Sequence, residues 1–350
     1  MTAVPRKAVQ RTPKRKLAAM ASFCFEYAGT SLSHHQHSGS LDTPDTCGYP
    51  SLMKKALTSV ILLLAVSLCL YSAAFPVRSV RLRVDPSLYT EEVVYIEANG
   101  RTVVGTLCLP ADTSVPVPAV VMLHGTGSTR DEAGDGYKKT APAMAAAGIA
   151  TLRIDFMGSG DSTESYVGYN YTSATEDAVA AKDYLRSLEE IDGDRIGIMG
   201  WSQGGTNAIH AAAHDTGFRS VVLWAGNLDM STVAKPELYA EALEYGFATR
   251  RFDWREPLYM GLQWFEEVYA TDLPALVKQI NAPLLAVNGE LDPTVPPSSG
   301  AYAAGLAANP ASRYVIIPQA DHTFNVFTDP SDRALSEAVG TTLAWFISTL

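Results

Sequence analysis

Short apolar runs of strand length alternate with helix-like segments along most of this chain of 350 residues. The runs are AVVMLHG at 119–125, RIGIMG at 195–200, SVVLWAG at 220–226 and APLLAVNGE at 282–290. Strands that are apolar along their whole length, rather than at every second residue, belong to parallel sheets buried on both faces. We therefore predict an α/β fold with a mostly parallel central sheet and helices on both faces.

Three further segments extend this pattern. The segment EEVVYIEANGRTVVGTLCLP at 91–110 predicts two strands joined at Asn99-Gly100, because Asn-Gly favours a two-residue hairpin turn. This hairpin adds an antiparallel edge to the sheet. The segment SATEDAVAAKDYLRSL at 173–188 predicts an amphipathic helix that opens with a Ser/Thr/Asp-type cap, and DRALSEAVGTTLAWFISTL at 332–350 predicts a terminal helix.

One segment departs from this alternation. From Gly226 to about Leu273 the chain is polar, helical in character and rich in aromatic residues. A crossover between neighbouring parallel strands needs only about a dozen residues. We interpret residues 227–273 as a cap inserted over the carboxyl edge of the strands. The alternative is an elaborated crossover helix with no role in a site.

The N-terminal segments differ from the rest of the chain. Residues 1–52 begin with a basic stretch and lack periodicity, which predicts a disordered tail. Residues 53–74 follow the layout of a signal peptide, with positive residues after Met53, an apolar stretch and a small-residue cleavage site. We expect Met53 to be the true initiator and residues 75–350 to form an exported domain. If the tail is retained, residues 53–74 become a signal-anchor, the only contact with a membrane that we expect.

Charge restricts the partners of the exported domain. After residue 74, 19 Lys and Arg residues stand against 34 Asp and Glu residues, a net charge of −15. Such an acidic domain repels polyanions, which argues against nucleic acid or anionic lipid as a partner. Cys108 is the one cysteine beyond residue 74, so no internal disulfide is expected there.

A serine stands between glycines directly after the run RIGIM. Gly200-Trp201-Ser202-Gln203-Gly204 fits the pattern G-x-S-x-G, placed after a predicted strand and before a predicted helix. In that context the pattern forms a sharp turn that exposes the serine hydroxyl, and small residues on both sides permit the bend. We expect Ser202 to be a nucleophile.

A serine hydroxyl needs a general base that is oriented by a carboxylate. Asp292 follows the run APLLAVNGE, and His322 follows the last predicted strand, RYVIIP. The chain order Ser202, Asp292, His322 places all three residues at the carboxyl edge of the sheet. Asp229 is the competing acid, and Asp321 is expected to be a cap of its own loop or a solvated carboxylate.

Catalysis by acyl transfer also needs two N–H donors for the oxyanion. We expect the first to be the backbone N–H of Gln203, the residue after the nucleophile. The second is expected in the loop His124-Gly125-Thr126-Gly127, where we assign the N–H of Thr126 and keep Gly125 as the alternative. His124 itself is expected to form hydrogen bonds within the loop.

The motifs HGTG, RIDFMGSGDS, GWSQGG, NGELDPTVP and ADHTF, in this order, resemble the α/β-hydrolase superfamily. More narrowly, the chain is similar to bacterial cinnamoyl (feruloyl) esterases and related carboxylesterases over residues 90–350. The resemblance implies the α/β-hydrolase fold with a helical cap and a serine esterase that works through an acyl-enzyme, without metal or cofactor. The implied substrate is a small-molecule ester, such as a hydroxycinnamate, another aromatic ester or a short acyl ester.

Other functions stay open at this point. The same three residues serve serine peptidases, amidases and thioesterases, and a non-catalytic binding protein on a hydrolase scaffold is a further alternative. The chain also departs from the esterases at one position, because they often have His where this chain has Trp201. That indole either reshapes the substrate pocket or packs beneath the turn.

Overall fold

A computed structural model describes residues 79–350, and an eight-stranded sheet lies at its centre. Two further strands pair with each other outside that sheet. In chain order, the strands of the described part are β1 Tyr89–Ala98, β2 Arg101–Pro110, β3 Val117–Leu123, β4 Ala150–Asp155, β5 Ile191–Trp201, β6 Ser220–Trp224, β7 Phe247–Arg250, β8 Leu258–Gly261, β9 Leu284–Gly289 and β10 Arg313–Ile317.

Helices alternate with the strands. In chain order, the α-helices of the described part are α1 Gly136–Ala146, α2 Tyr171–Arg186, α3 Gln203–His214, α4 Pro236–Tyr245, α5 Leu262–Ala270, α6 Leu273–Gln279, α7 Ser298–Leu306 and α8 Arg333–Thr349. A 3-10 turn, Tyr166–Gly168, precedes α2.

The sheet has the order β1-β2-β4-β3-β5-β6-β9-β10. From β4 to β10 every neighbouring pair is parallel, whereas β1 pairs antiparallel with β2 and β2 antiparallel with β4. The structure therefore confirms the mostly parallel sheet, the antiparallel edge and the hairpin at Asn99-Gly100. The fully buried runs of β3, β5 and β6 occupy its middle, as their continuous apolar sequence predicts.

One large apolar core lies between the sheet and the helices α1 and α8. Alternate residues of the central strands, such as Val120 and Met122 of β3, point into it, since side chains alternate between the faces of a strand. They meet Tyr137 of α1 and Phe346 of α8. Helices α2 and α3 pack against each other and against the strands β3 and β5.

Helix α2 begins earlier than its sequence predicts. Its first residue is Tyr171, and the cap is Asn170, whose side chain accepts from the Ser173 N–H at 2.7 Å. The Ser173 hydroxyl in turn accepts from the Asn170 N–H at 3.0 Å. The expected cap at the start of residues 173–188 is therefore wrong: Ser173 is the third helical residue of a capping box, and Asn is among the strongest N-cap residues.

The segment between β6 and β9 contains more than the expected helices. It holds α4, α5 and α6, but also the antiparallel pair β7–β8, which the helical character of residues 226–273 did not predict. Within the described residues, 79–250 and 258–350 form one compact unit, and 251–257 are assigned to a second. In that second unit the rings of Phe252 and Trp254 lie 5.2 Å apart.

The predicted tail at 1–52 and the signal segment at 53–74 lie outside the described residues. Across residues 79–350, none of the helices combines the length and apolar character required to cross a membrane.

Candidate active site

Ser202 forms a sharp turn between the last residue of β5 and the first residue of α3. Its backbone angles, φ 55° and ψ −121°, are unfavourable for a residue with a side chain, as expected for a strained nucleophile turn. The two flanking glycines are required by space. A Cβ on Gly200 would lie 1.9 Å from the carbonyl oxygen of Gly204, and one on Gly204 would lie 2.1 Å from that of Leu123.

The structure brings Ser202, His322 and Asp292 together in one hydrogen-bonded line. His322 Nε2 lies 3.0 Å from Ser202 Oγ, and His322 Nδ1 lies 2.8 Å from Asp292 Oδ2. The Asp292 side chain is fully buried, whereas the imidazole is 18% exposed. Such a line is suited to take a proton from the serine hydroxyl.

Two loops at the carboxyl edge of the sheet carry the acid and the histidine. They are joined by a backbone bond from the Leu291 N–H to the Ala320 carbonyl, 2.8 Å. Asp292 is fixed within its own loop, because its Oδ1 accepts from the N–H groups of Thr294 and Val295, each at 2.8 Å. Its other oxygen, Oδ2, is thereby directed at His322.

The other two acids considered from the sequence do not contact His322. Asp229 binds the N–H and the hydroxyl of Ser231, and so caps a short turn after β6. Asp321 accepts from the N–H groups of Thr323 and Asn325 at 2.8 and 2.9 Å, which confirms its expected role as a cap of its own loop.

The expected oxyanion donors lie on adjoining elements. Gln203 is the first residue of α3, so its N–H has no carbonyl four residues earlier within the helix. Thr126 is linked to it, because the Thr126 hydroxyl donates to Gln203 Oε1. The alternative donor, the Gly125 N–H, binds Glu132 Oε2 at 2.8 Å. This arrangement favours Thr126 over Gly125.

Glu132 is a residue of this region that the sequence analysis missed. Burial raises the pKa of its carboxyl group from the ordinary value of 4.5 to about 8, against N–H bonds from Gly125 and Ala133 and a hydroxyl bond from Ser128 that lower it. An acid eight residues after His124 has no signal in one sequence, since its role depends on how the loop folds back.

His124 has the structural role expected of it. Its Nε2 accepts from the Phe156 N–H at 3.1 Å, so the proton is on Nδ1, which donates to the Gly125 carbonyl at 2.8 Å. The ring is buried and connects the end of β3 to the end of β4.

Trp201 packs beneath the turn. It is 1% exposed, and its ring lies 5.2 to 5.8 Å from the rings of Tyr137, Trp224 and Phe324. Its Nε1 donates to the backbone carbonyl of His322 at 3.0 Å.

The segment between β6 and β9 is attached to the loop that follows β4. Strand β8 packs on the turn Tyr166–Gly168 so closely that a Cβ on Gly261 would lie 2.0 Å from the Val167 carbonyl oxygen. The Glu267 carboxylate of α5 accepts from the N–H and hydroxyl of Thr172, at 3.0 and 2.7 Å, at the start of α2. Among residues 79–350 no group of three or more His, Cys, Asp or Glu side chains is arranged to hold a metal ion.

Solved structures share this fold. The structure of ferulic acid bound to Est1E from Butyrivibrio proteoclasticus superposes with a TM-score of 0.62 at 21% identity, over 73% of this chain and 99% of that one. A dienelactone hydrolase from Anabaena variabilis gives a TM-score of 0.54 at 22% identity, over 75% and 99%. The chain therefore has the α/β-hydrolase fold that its motifs predict.

The sequence of the chain assigns it to a particular family of hydrolases. Residues 136–350 match the model of the prolyl oligopeptidase family, and the chain belongs to that family of hydrolases. It is also 36% identical over 111 residues to the quorum-quenching protein AidA of Acinetobacter baumannii strain MDR-ZJ06, spanning 31% of this chain and 36% of that protein. The matched segment thus spans about a third of that relative's length.

Proposed function

We propose that this chain is a serine hydrolase that cleaves carboxylic esters through an acyl-enzyme intermediate. The observation that carries the proposal is the pair of contacts made by His322, 3.0 Å to Ser202 Oγ and 2.8 Å to Asp292 Oδ2. The strained turn at Ser202 and its flanking glycines support the same role, because they expose the hydroxyl at the end of β5.

The proposed reaction has two steps. Ser202 Oγ attacks the ester carbonyl while its proton passes to His322 Nε2, and Asp292 stabilises the resulting imidazolium through Nδ1. The oxyanion is bound by the backbone N–H groups of Thr126 and Gln203. His322 then protonates the leaving alcohol. A water molecule, activated by the same histidine, hydrolyses the acyl-enzyme and regenerates Ser202.

Esters of aromatic acids, hydroxycinnamates among them, and short acyl esters are the proposed substrate class. Two observations support it: the aromatic residues of the segment 227–273, which we propose to be a cap, and the fold shared with Est1E, a protein that binds ferulic acid.

Substitution of the nucleophile tests the proposal. We expect Ser202→Ala to abolish hydrolysis of p-nitrophenyl esters and labelling by a fluorophosphonate, while the melting temperature stays near that of the wild type. Ser231→Ala, which removes a hydroxyl bound only to Asp229, is the matched control and retains both activities. Turnover or labelling at the wild-type rate in Ser202→Ala would exclude Ser202 as the nucleophile.

Cleavage of a peptide or amide is the second candidate function, and membership of the prolyl oligopeptidase family is the observation that favours it. The same residues attack both bond types, but an amine is a poorer leaving group than an alcohol. Specificity constants on methyl ferulate, p-nitrophenyl esters of increasing chain length and aminoacyl anilides distinguish the two. A specificity constant that is higher on the anilides than on the esters would show that the protein is a peptidase rather than an esterase.

We also propose that residues 53–74 direct export of the domain that follows. The support is the order of positive, apolar and small residues in that segment. A net charge of −15 after residue 74 supports a small molecule rather than a nucleic acid as the partner of the exported domain.

A further inference from the structure

The indole of Trp201 connects the nucleophile strand to the loop of the proposed base. Trp201 is the last residue of β5 and directly precedes Ser202, and its Nε1 donates to the carbonyl oxygen of His322 at 3.0 Å. Trp201 itself lies beneath the turn and is 1% exposed. One hydrogen bond thus links the residue before Ser202 directly to the backbone of His322.

The loop around His322 depends on such attachments. Phe324 and Asn325 have φ angles of 51° and 61°, a region that side chains disfavour and that persists only where the surroundings impose it. On one side the Ala320 carbonyl binds the Leu291 N–H. On the other side Trp201 holds the loop through two contacts. Its Nε1 donates to the His322 carbonyl, and its ring lies 5.3 Å from that of Phe324.

The indole has little freedom to move. A Cβ on Gly136 would lie 2.6 Å from its Cζ3 atom, so the ring fills the space that this glycine leaves. Trp224 packs edge-on against it at 5.2 Å, and Tyr137 lies 5.8 Å away. The donor is therefore held in one place, and it determines where the His322 carbonyl lies.

We propose that Trp201 is a positioning residue for His322. Its N–H holds the His322 backbone so that Nε2 stays within reach of Ser202 Oγ while Nδ1 stays on Asp292. The inference rests on the proposed serine hydrolase function and assigns the residue before the nucleophile a role in proton transfer. If the imidazole is displaced by a fraction of an ångström, the enzyme binds substrate with the same affinity, but Nε2 accepts the serine proton poorly.

The test compares two buried tryptophans. Trp201→Phe keeps an aromatic ring and removes the donor to His322. Trp224→Phe makes the same change in the same cluster, but the Trp224 N–H binds the Thr342 hydroxyl of α8 at 2.8 Å. We expect Trp201→Phe to lower kcat and the rate of fluorophosphonate labelling by about 10- to 100-fold with KM unchanged. Trp224→Phe leaves the Trp201 donor intact and keeps an aromatic ring against the indole. We therefore expect it to keep a kcat close to that of the wild type despite a similar loss of thermal stability.

A second substitution removes the donor without changing shape. Benzothienylalanine at position 201 replaces the indole N–H by sulfur, so the variant folds even if Trp201→Phe does not. It is expected to show the same loss of kcat, together with loss of the downfield proton resonance of His322 Nδ1. The proposal is overturned if kcat and labelling in both variants equal those of Trp224→Phe while the wild type is labelled. A folded wild type that is neither labelled nor active overturns the proposed function itself.

Discussion

At the scale of single residues, the orientation of Asp292 determines which nitrogen of His322 carries the proton. Asp292 Oδ1 is occupied by the N–H groups of Thr294 and Val295, both at 2.8 Å, so Oδ2 is left to accept from His322 Nδ1. Nε2 then has a free lone pair toward Ser202. The proposed proton transfer depends on this fixed assignment of donors and acceptors.

An asparagine at position 292 reverses the assignment. In Asp292→Asn the side-chain oxygen stays on the two loop N–H groups, and the NH₂ group faces His322 Nδ1. The imidazole must then accept at Nδ1 and carry its proton on Nε2, where it cannot act as a base toward Ser202. We expect kcat to fall by about 10⁴-fold, as for the same change in other serine triads. Asp229→Asn is the control and should leave kcat unchanged; the reverse result would make Asp229 the acid.

The carboxyl group of Glu132 makes stability depend on pH. Its pKa is raised from 4.5 to about 8 by burial, so between these values the folded state holds a proton that the unfolded state releases. The free energy of unfolding therefore falls as the pH rises from about 4.5 to about 8, and this contribution becomes constant above that range. Ionisation of Glu132 therefore destabilises the loop that contains Thr126.

Glu132→Gln removes this dependence. The amide oxygen still accepts from the Gly125 N–H, but nothing titrates. We expect the difference in melting temperature between Glu132→Gln and the wild type to widen from pH 5 to pH 8 in favour of the variant, and then to level off. Glu237→Gln, at an exposed position of α4, is the matched control. A constant difference across this range would contradict the raised pKa.

At the scale of elements, the segment between β6 and β9, our proposed cap, is attached by close backbone packing as well as by side chains. Gly261 ends β8 where a Cβ would lie 2.0 Å from the Val167 carbonyl oxygen, and backbone atoms cannot rotate away. We expect Gly261→Ala to lower the free energy of unfolding by about 1–3 kcal/mol. Gly305→Ala in α7 is the same change with no atom within 4 Å, and is expected to be neutral or stabilising. Equal effects in denaturant unfolding would exclude this contact as the cause.

The elements that the sequence predicts correctly are those with a local signal. The runs at β3, β5, β6 and β9 are apolar over strand length. The proposed nucleophile, acid and base are read from the residues that follow such runs in the chain. The pair β7–β8 lacks such a signal, because strands of only four residues are too short to show a readable period. The roles of Glu132 and of the Trp201 N–H were likewise unpredictable, since they arise from contacts 7 and 121 residues apart in the chain.

At the scale of the whole molecule, residues only a few positions after the predicted cleavage site pack against the body of the domain. The Val80 N–H donates to the Ser336 hydroxyl at 2.9 Å, and that hydroxyl donates back to the Val80 carbonyl at 2.5 Å. Val80, Leu82 and Val84 pack against the main core. The chain is therefore bound to α8 a few residues after Ala74, where the proposed signal segment ends.

These contacts predict where the chain tolerates shortening. A protein that starts at residue 75 should keep the wild-type melting temperature and activity, because it retains Val80 and the two apolar residues that follow. A protein that starts at residue 86 loses all three side chains, each worth on the order of 1 kcal/mol when partly buried, and should unfold at a lower temperature.

N-terminal sequencing of the protein exported from cells that carry the full gene tests where the signal segment is cleaved. We expect that protein to begin near Phe75, and a product that retains residues 1–52 would show that segment 53–74 acts as an anchor instead.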